Sequence, residues 1–350
     1  MINVVRALAI GAAGGALCHF VGVPAPWLAG SLIATIAAVY VKQKLDLPDG
    51  LRALAFVFLG VQTGTAVNED TLERAARWPL SILCLAVTVA LIIWACAVYY
   101  ERFRKWDRPT ALFASLPGAL SLVILLASTT NADMRRVTIA QCVRLFFLIA
   151  ALPAIISIMS PDHGAGAPVV MMGSIYEIVL LVIASGAAGL LFEWLKIPAG
   201  LILGASVISA ALVLTGVVHG AAPNSILIPA NIVLGVMIGL RFKGISFPQL
   251  RAAFNDGFAG FVIAMGIAVV GAAVTSKVAD LPIALTLLAF APGGLEAMTI
   301  MAFALNLDPA YVAAHQVARY IGLVLVMPGV TAFLLNRPVA GIDKTDVEED

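Results

Sequence analysis

Apolar residues follow one another without a single charge over 79–100 and over 178–192, and elsewhere charges gather in short gaps between apolar runs. Several of these runs approach the roughly 20 residues that a helix needs to cross a bilayer. The pattern predicts spans at about 3–20, 25–41, 51–67, 79–100 and 134–158 in the first half, and at 176–194, 199–217, 225–241, 258–276 and 310–334 in the second. Two further apolar segments, 110–131 and 284–305, are interrupted at Pro117-Gly118 and at Pro292-Gly293-Gly294, where a helix must kink or stop. The expected fold is an all-α polytopic membrane protein.

Composition agrees. Of 350 residues, 61% are hydrophobic and 12% charged, with mean hydropathy +1.02, where a soluble domain is about a quarter charged. The first apolar stretch leads straight into others, so it reads as a retained span rather than a cleaved signal. Net charge is +1 with no basic run, which speaks against nucleic acid as a partner. The four cysteines (Cys18, Cys84, Cys96, Cys142) and four histidines (His19, His163, His219, His315) are scattered singly. No metal site, cofactor or catalytic residue is therefore expected, and no phosphate-binding loop is present to drive ATP-coupled work.

The chain also resembles itself. Shifted by 175 residues, Pro117–Pro153 lies on Pro292–Pro328 without a gap and with 11 of 37 positions identical. Among the shared residues are Pro117/Pro292, Gly118/Gly293, Asn131/Asn306, Asp133/Asp308, Gln141/Gln316 and Arg144/Arg319. Upstream, the pair Gly60/Gly64 answers Gly235/Gly239, a small-xxx-small spacing that allows close helix contact. The expected division is a membrane repeat over 1–160, a loop over 161–175, a second repeat over 176–336 and a polar tail over 337–350.

Charge distribution bears on how the halves point. If the interrupted segments cross, Lys and Arg divide 11 to 8 between the two sides; if each enters and returns, the division is 16 to 3, with Arg144 and Arg319 inside spans. The positive-inside rule favours the second arrangement, five spans per half in inverted orientation, with both termini cytoplasmic in a bacterial inner membrane. Inverted repeats with broken segments near the midplane are a common transporter plan. A kinked crossing helix is the simpler alternative.

Arg144 and Arg319 fall about ten residues inside their spans, roughly 15 Å deep at 1.5 Å per residue. Val, Gln, Arg and Leu recur at 137, 141, 144, 148 and at 312, 316, 319, 323, one face of each helix. The second half adds Glu296 and His315 where the first has Ser121 and Ala140. Ionisable residues at such depth are functional candidates. The expected binding set is Pro117, Gly118, Gln141, Arg144, Pro292, Gly293, Gly294, Glu296, Gln316 and Arg319, with Glu296 and His315 as candidates for carrying a proton. Two arginines against one carboxylate suit a small anion. The structural alternative has the arginines bonding carbonyls freed at the breaks, Glu296 in an ion pair with Arg319, and His315 a satisfied core residue. Lipid, a small anionic molecule and, as one option, further copies of the chain are the expected partners.

The run Pro292-Gly293-Gly294-Leu295-Glu296-Ala297-Met298, with Asp308 and Gln316-x-x-Arg319, and its degenerate first copy Pro117-Gly118-Ala119-Leu120 with Asp133 and Gln141-x-x-Arg144, resembles the AbrB-type duplicated membrane proteins of Gram-negative bacteria. That resemblance brings two labels, regulation of gene expression and ammonia monooxygenase. The scattered histidines leave the second without metal ligands, so no enzyme is expected. A secondary transporter is the preferred expectation, with a regulatory role through a partner or through metabolite uptake as the alternative.

Overall fold

Helix starts are written into the sequence as acceptor side chains ahead of apolar runs. Asp107 accepts from Thr110 N (3.0 Å). Asp133 Oδ1 accepts from the backbone N–H groups of Arg135 (3.0 Å) and Arg136 (3.1 Å), and Asp308 Oδ1 from those of Ala310 (2.9 Å) and Tyr311 (3.1 Å). Ser174 and Glu177 satisfy each other's backbone N–H reciprocally. Helix ends carry basic residues instead: Lys42, Lys105 and Lys196 each take a left-handed conformation just past a helix, near the last turn's free carbonyls.

The computed structural model describes residues 2–23, 25–65, 67, 78–118, 123, 127, 130–159, 174–197, 200–218, 224–305 and 307–335. Every regular element among them is helical: α1 (Ile2–Val21), α2 (Pro26–Tyr40), α3 (Asp49–Thr65), α4 (Trp78–Val98, continued by a π turn at Tyr99–Phe103), α5 (Arg108–Ser115), α6 (Met134–Met159), α7 (Ile175–Trp194), α8 (Gly200–Leu214), α9 (Asn224–Leu240), α10 (Phe247–Ala279), α11 (Ile283–Phe290), α12 (Leu295–Ala304) and α13 (Pro309–Leu335). All ten expected spans coincide with a helix.

Length separates them. Among the described residues, six helices are long and apolar enough to cross a membrane: α1, α4 with its π turn, α6, α7, α10 and α13. The expected spans at 25–41, 51–67, 199–217 and 225–241 are shorter helices of 15 to 17 residues. At 1.5 Å per residue they measure about 22–26 Å, less than the hydrocarbon thickness of about 30 Å. These four pack on one another, α2 against α9 and α3 against both α8 and α9, while α1 flanks α2 and α9 and α7 flanks α8 and α3. Glycines let the backbones meet. A Cβ at Gly60 would press on Ile202 O and Ala205, and one at Gly235 on Leu28 O and Ser31.

The remaining helices form a second group, in which α10 packs on α6 and α4, α13 packs on α4, and α11 lies between α10 and α13. One boundary differs from expectation. The span expected at 258–276 belongs to α10, which begins at Phe247 because Ser246 N is bound by Gln249 Oε1 (3.0 Å) and Pro248 suits a first turn. Its first turns carry Gln249, Arg251, Asn255 and Asp256, so no hydropathy signal marks them.

Candidate functional site

Both interrupted segments are true breaks where the structure describes them. Helix α11 stops at Phe290 and α12 restarts at Leu295. Helix α5 stops at Ser115, followed by non-helical Leu116, Pro117 and Gly118, the last at φ +151°, a region glycine enters readily. Most of 119–129 lies outside the described residues, Ser121 included. A helix that stops inside apolar surroundings leaves its last carbonyls without partners. At both breaks a Gln-x-x-Arg pair supplies them.

On α6, Gln141 Nε2 donates to Phe113 O (3.0 Å) and Leu116 O (2.9 Å), and Arg144 donates to Leu116 O (2.7 Å) and to Gln141 Oε1. On α13, Gln316 Nε2 donates to Ala289 O (3.1 Å), while Arg319 donates to Ala291 O (2.8 Å), to Gly293 O and to Gln316 Oε1. Arg144 and Arg319 are 5% and 6% exposed, so these bonds stand in for water. A hydrogen bond to a charged donor contributes about 1.5–3 kcal/mol, and a buried carbonyl left bare costs about 1–3 kcal/mol. Each arginine thus holds its break in shape. The bonds from Arg144 to Leu116 and from Arg319 to Ala291 link positions that correspond under the 175-residue shift.

The breaks lie near one another. A Cβ at Gly118 would sit 3.3 Å from Leu323 Cδ1, one turn beyond Arg319 on α13. Pro117, Pro292 and Gly293 are buried and Gly294 is half-buried. The structure therefore brings together Pro117, Gly118, Gln141, Arg144, Pro292, Gly293, Gly294, Gln316 and Arg319 around two half-helix ends. Glu296 is the second residue of α12, and its side chain lies outside the described residues.

His315 is fully buried with both ring nitrogens engaged, Nδ1 with Tyr311 O (2.8 Å) and Nε2 with Ser81 Oγ (2.6 Å). Because a carbonyl only accepts, Nδ1 carries a hydrogen, and in the neutral ring Nε2 accepts from the Ser81 hydroxyl. The ring also lies against Tyr311, at 3.9 Å between centroids.

Two features escaped the sequence reading. Asp256, buried near the start of α10, pairs with Arg104 just after the π turn. Nothing in the local sequence of either residue names the other. The second is a cavity of about 570 Å³ between α4 and α13, with Arg319 in its wall.

The family described as transition state regulatory protein AbrB matches residues 5–335. A Bacillus subtilis (strain 168) protein named "Uncharacterized protein YhjN" is 25% identical, with 92% of this chain and 90% of the relative covered. An Escherichia coli (strain K12) protein named "Putative regulator AbrB" is 26% identical, with 90% and 91% covered. The Bacillus relative extends the resemblance beyond the Gram-negative bacteria. With the family signature running through nearly every helix described above, the chain belongs to the AbrB family.

Proposed function

We propose that this multi-pass, apolar-helix protein is a secondary transporter of a small anionic metabolite, working by alternating access around the two breaks. The observation that carries the reading is the closeness of the two broken half-helices, Gly118 lying against Leu323 on the Arg319 helix, with a buried arginine at each break. Half-helices meeting near the bilayer centre are where transporters of several folds hold their substrates. In this reading the chain is two repeats of five spans plus one broken segment, in inverted orientation, and rocking of one repeat against the other exposes the breaks to each side in turn. Glu296 and His315 are the groups to which proton coupling is assigned, and no enzymatic step is involved.

The family description and the name of the Escherichia coli relative favour a second reading. There the protein takes part in the regulation of gene expression, indirectly, through a soluble partner on the 101–108 loop or the acidic tail or through metabolite uptake. Flux assays in proteoliposomes separate the two. Transport predicts that Arg144→Gln, Arg319→Gln and Glu296→Gln each lower flux at least tenfold in folded protein. Undiminished flux in both arginine variants overturns the anion site. Loss of a regulatory output on altering 101–108 alone, with flux intact, favours the second reading.

A further inference from the structure

The cavity between α4 and α13 says more about what Arg319 is for. It runs along α4 from Ile82 to Glu101, a rise of about 28 Å at 1.5 Å per residue. Its width comes from small side chains, Ala86 and Ala90 on α4 and Ala318 and Gly322 on α13, facing larger Leu85 and Leu323. Arg319 and Glu101 are the charged residues in its wall. Glu101, at the far end, is held by Arg108 (3.1 Å).

Arg319 has five N–H donors, of which three go to Ala291 O, Gly293 O and Gln316 Oε1. Its Nε–H and one N–H on Nη1 have no acceptor among the described residues. Arg319 lines the cavity and, among the described residues, keeps two N–H donors without an acceptor, which suits one anionic head. Among the described lining residues Arg319 is the cation, so a second anionic group would enter unpaired at high cost. The apolar length offers much to a hydrocarbon body, whose burial there is favourable in proportion to the area covered.

We infer that the cavity binds a monocarboxylate with a bulky apolar body, its carboxylate on Arg319 and its body along the α4–α13 groove. This rests on the transport reading only for its consequence, that such an acid is the cargo; binding stands or falls separately. Dicarboxylates and small hydrophilic anions are then poor ligands.

Gly322 provides the means of test. A Cβ there meets nothing within 4 Å, so Gly322→Leu narrows the groove with no backbone clash and leaves Arg319 itself in place. Purified full-length protein is titrated with 4-phenylbutyrate, 4-phenylbutanol and acetate, following the melting temperature and the heat of binding. The expected result is saturable binding of 4-phenylbutyrate, at least tenfold tighter than either comparison compound and weakened at least tenfold by Gly322→Leu. Equal binding of the alcohol makes the groove an unselective lipid slot and overturns the inference. So does acetate binding as tightly as phenylbutyrate, which would leave transport of small anions standing. So does phenylbutyrate binding unaffected by Gly322→Leu, or no binding at all. Selective binding without flux of any carboxylate in proteoliposomes upholds the groove and removes transport.

Discussion

Ser81 and His315, 234 positions apart, share a 2.6 Å hydrogen bond in the buried contact between α4 and α13. It is a direct polar tie between these two helices, formed one turn before Arg319. The Ser81 hydroxyl also lies 3.0 Å from Trp78 O, so it has an alternative acceptor in its own helix. Among the described residues, the imidazole Nε2 has no other donor to accept from.

That asymmetry gives the first prediction. Ser81→Ala leaves a buried ring nitrogen bare and is expected to destabilise the protein by about 1–3 kcal/mol. Adding His315→Leu removes the orphan along with its partner, so the double variant should be more stable than the two single losses sum to. A double-mutant cycle on thermal unfolding in detergent measures the coupling. Strict additivity would show that the bond contributes nothing.

The glycines divide into two kinds with opposite outcomes. Gly235 sits in van der Waals contact with α2, where an added Cβ would lie 2.6 Å from both Leu28 O and Ser31 Cβ. Gly235→Ala must push two backbones apart and is expected to cost about 1–3 kcal/mol. Gly266, inside α10, faces open space. There Gly266→Ala should stabilise by about 0.5–1 kcal/mol, because the alanine chain has less freedom to lose. Comparing the two melting temperatures tests the close packing of the short helices.

How far the chain could be read without coordinates follows from which forces are local. Apolar runs marked each described helix that is long and apolar enough to cross a membrane, because hydropathy is a property of consecutive residues. The same signal could not tell these longer helices from α2, α3, α8 and α9, which are also apolar but only 15 to 17 residues long. Asp133 and Asp308 stood out as a shared polar pair, and both turn out to cap helices. Gln141, Arg144, Gln316 and Arg319 were legible by repetition and depth. Their bonds to carbonyls are what the structural alternative for the arginines expects. His315 has the saturated ring of a core histidine. The pairings of Ser81 with His315 and Arg104 with Asp256 depend on tertiary contact, which no spacing encodes.

Inversion of the halves has a direct test. In the transport reading, five spans before residue 161 and five after 175 put the loop and the C-terminal tail on opposite sides of the membrane. Single cysteines replacing Gly164 and Lys344, in a background without the four native cysteines, should react with an impermeant maleimide from opposite faces. Labelling of both from one face would remove the inverted arrangement and, with it, the main support for alternating access.

The Arg104–Asp256 pair is unequally buried, and the inequality predicts which partner matters more. The Asp256 side chain is 8% exposed and that of Arg104 43%. Arg104→Gln strands a carboxylate that solvent scarcely reaches, so a loss of about 1–3 kcal/mol is expected. Asp256→Asn leaves an arginine that can turn into water, and its cost should stay below about 1 kcal/mol. The double variant should lie closer to Asp256→Asn than to Arg104→Gln, since removing the carboxylate removes the unpaired charge. Thermal unfolding of the three variants ranks them, and a larger loss in Asp256→Asn than in Arg104→Gln would mean that Asp256 is held by something other than this arginine.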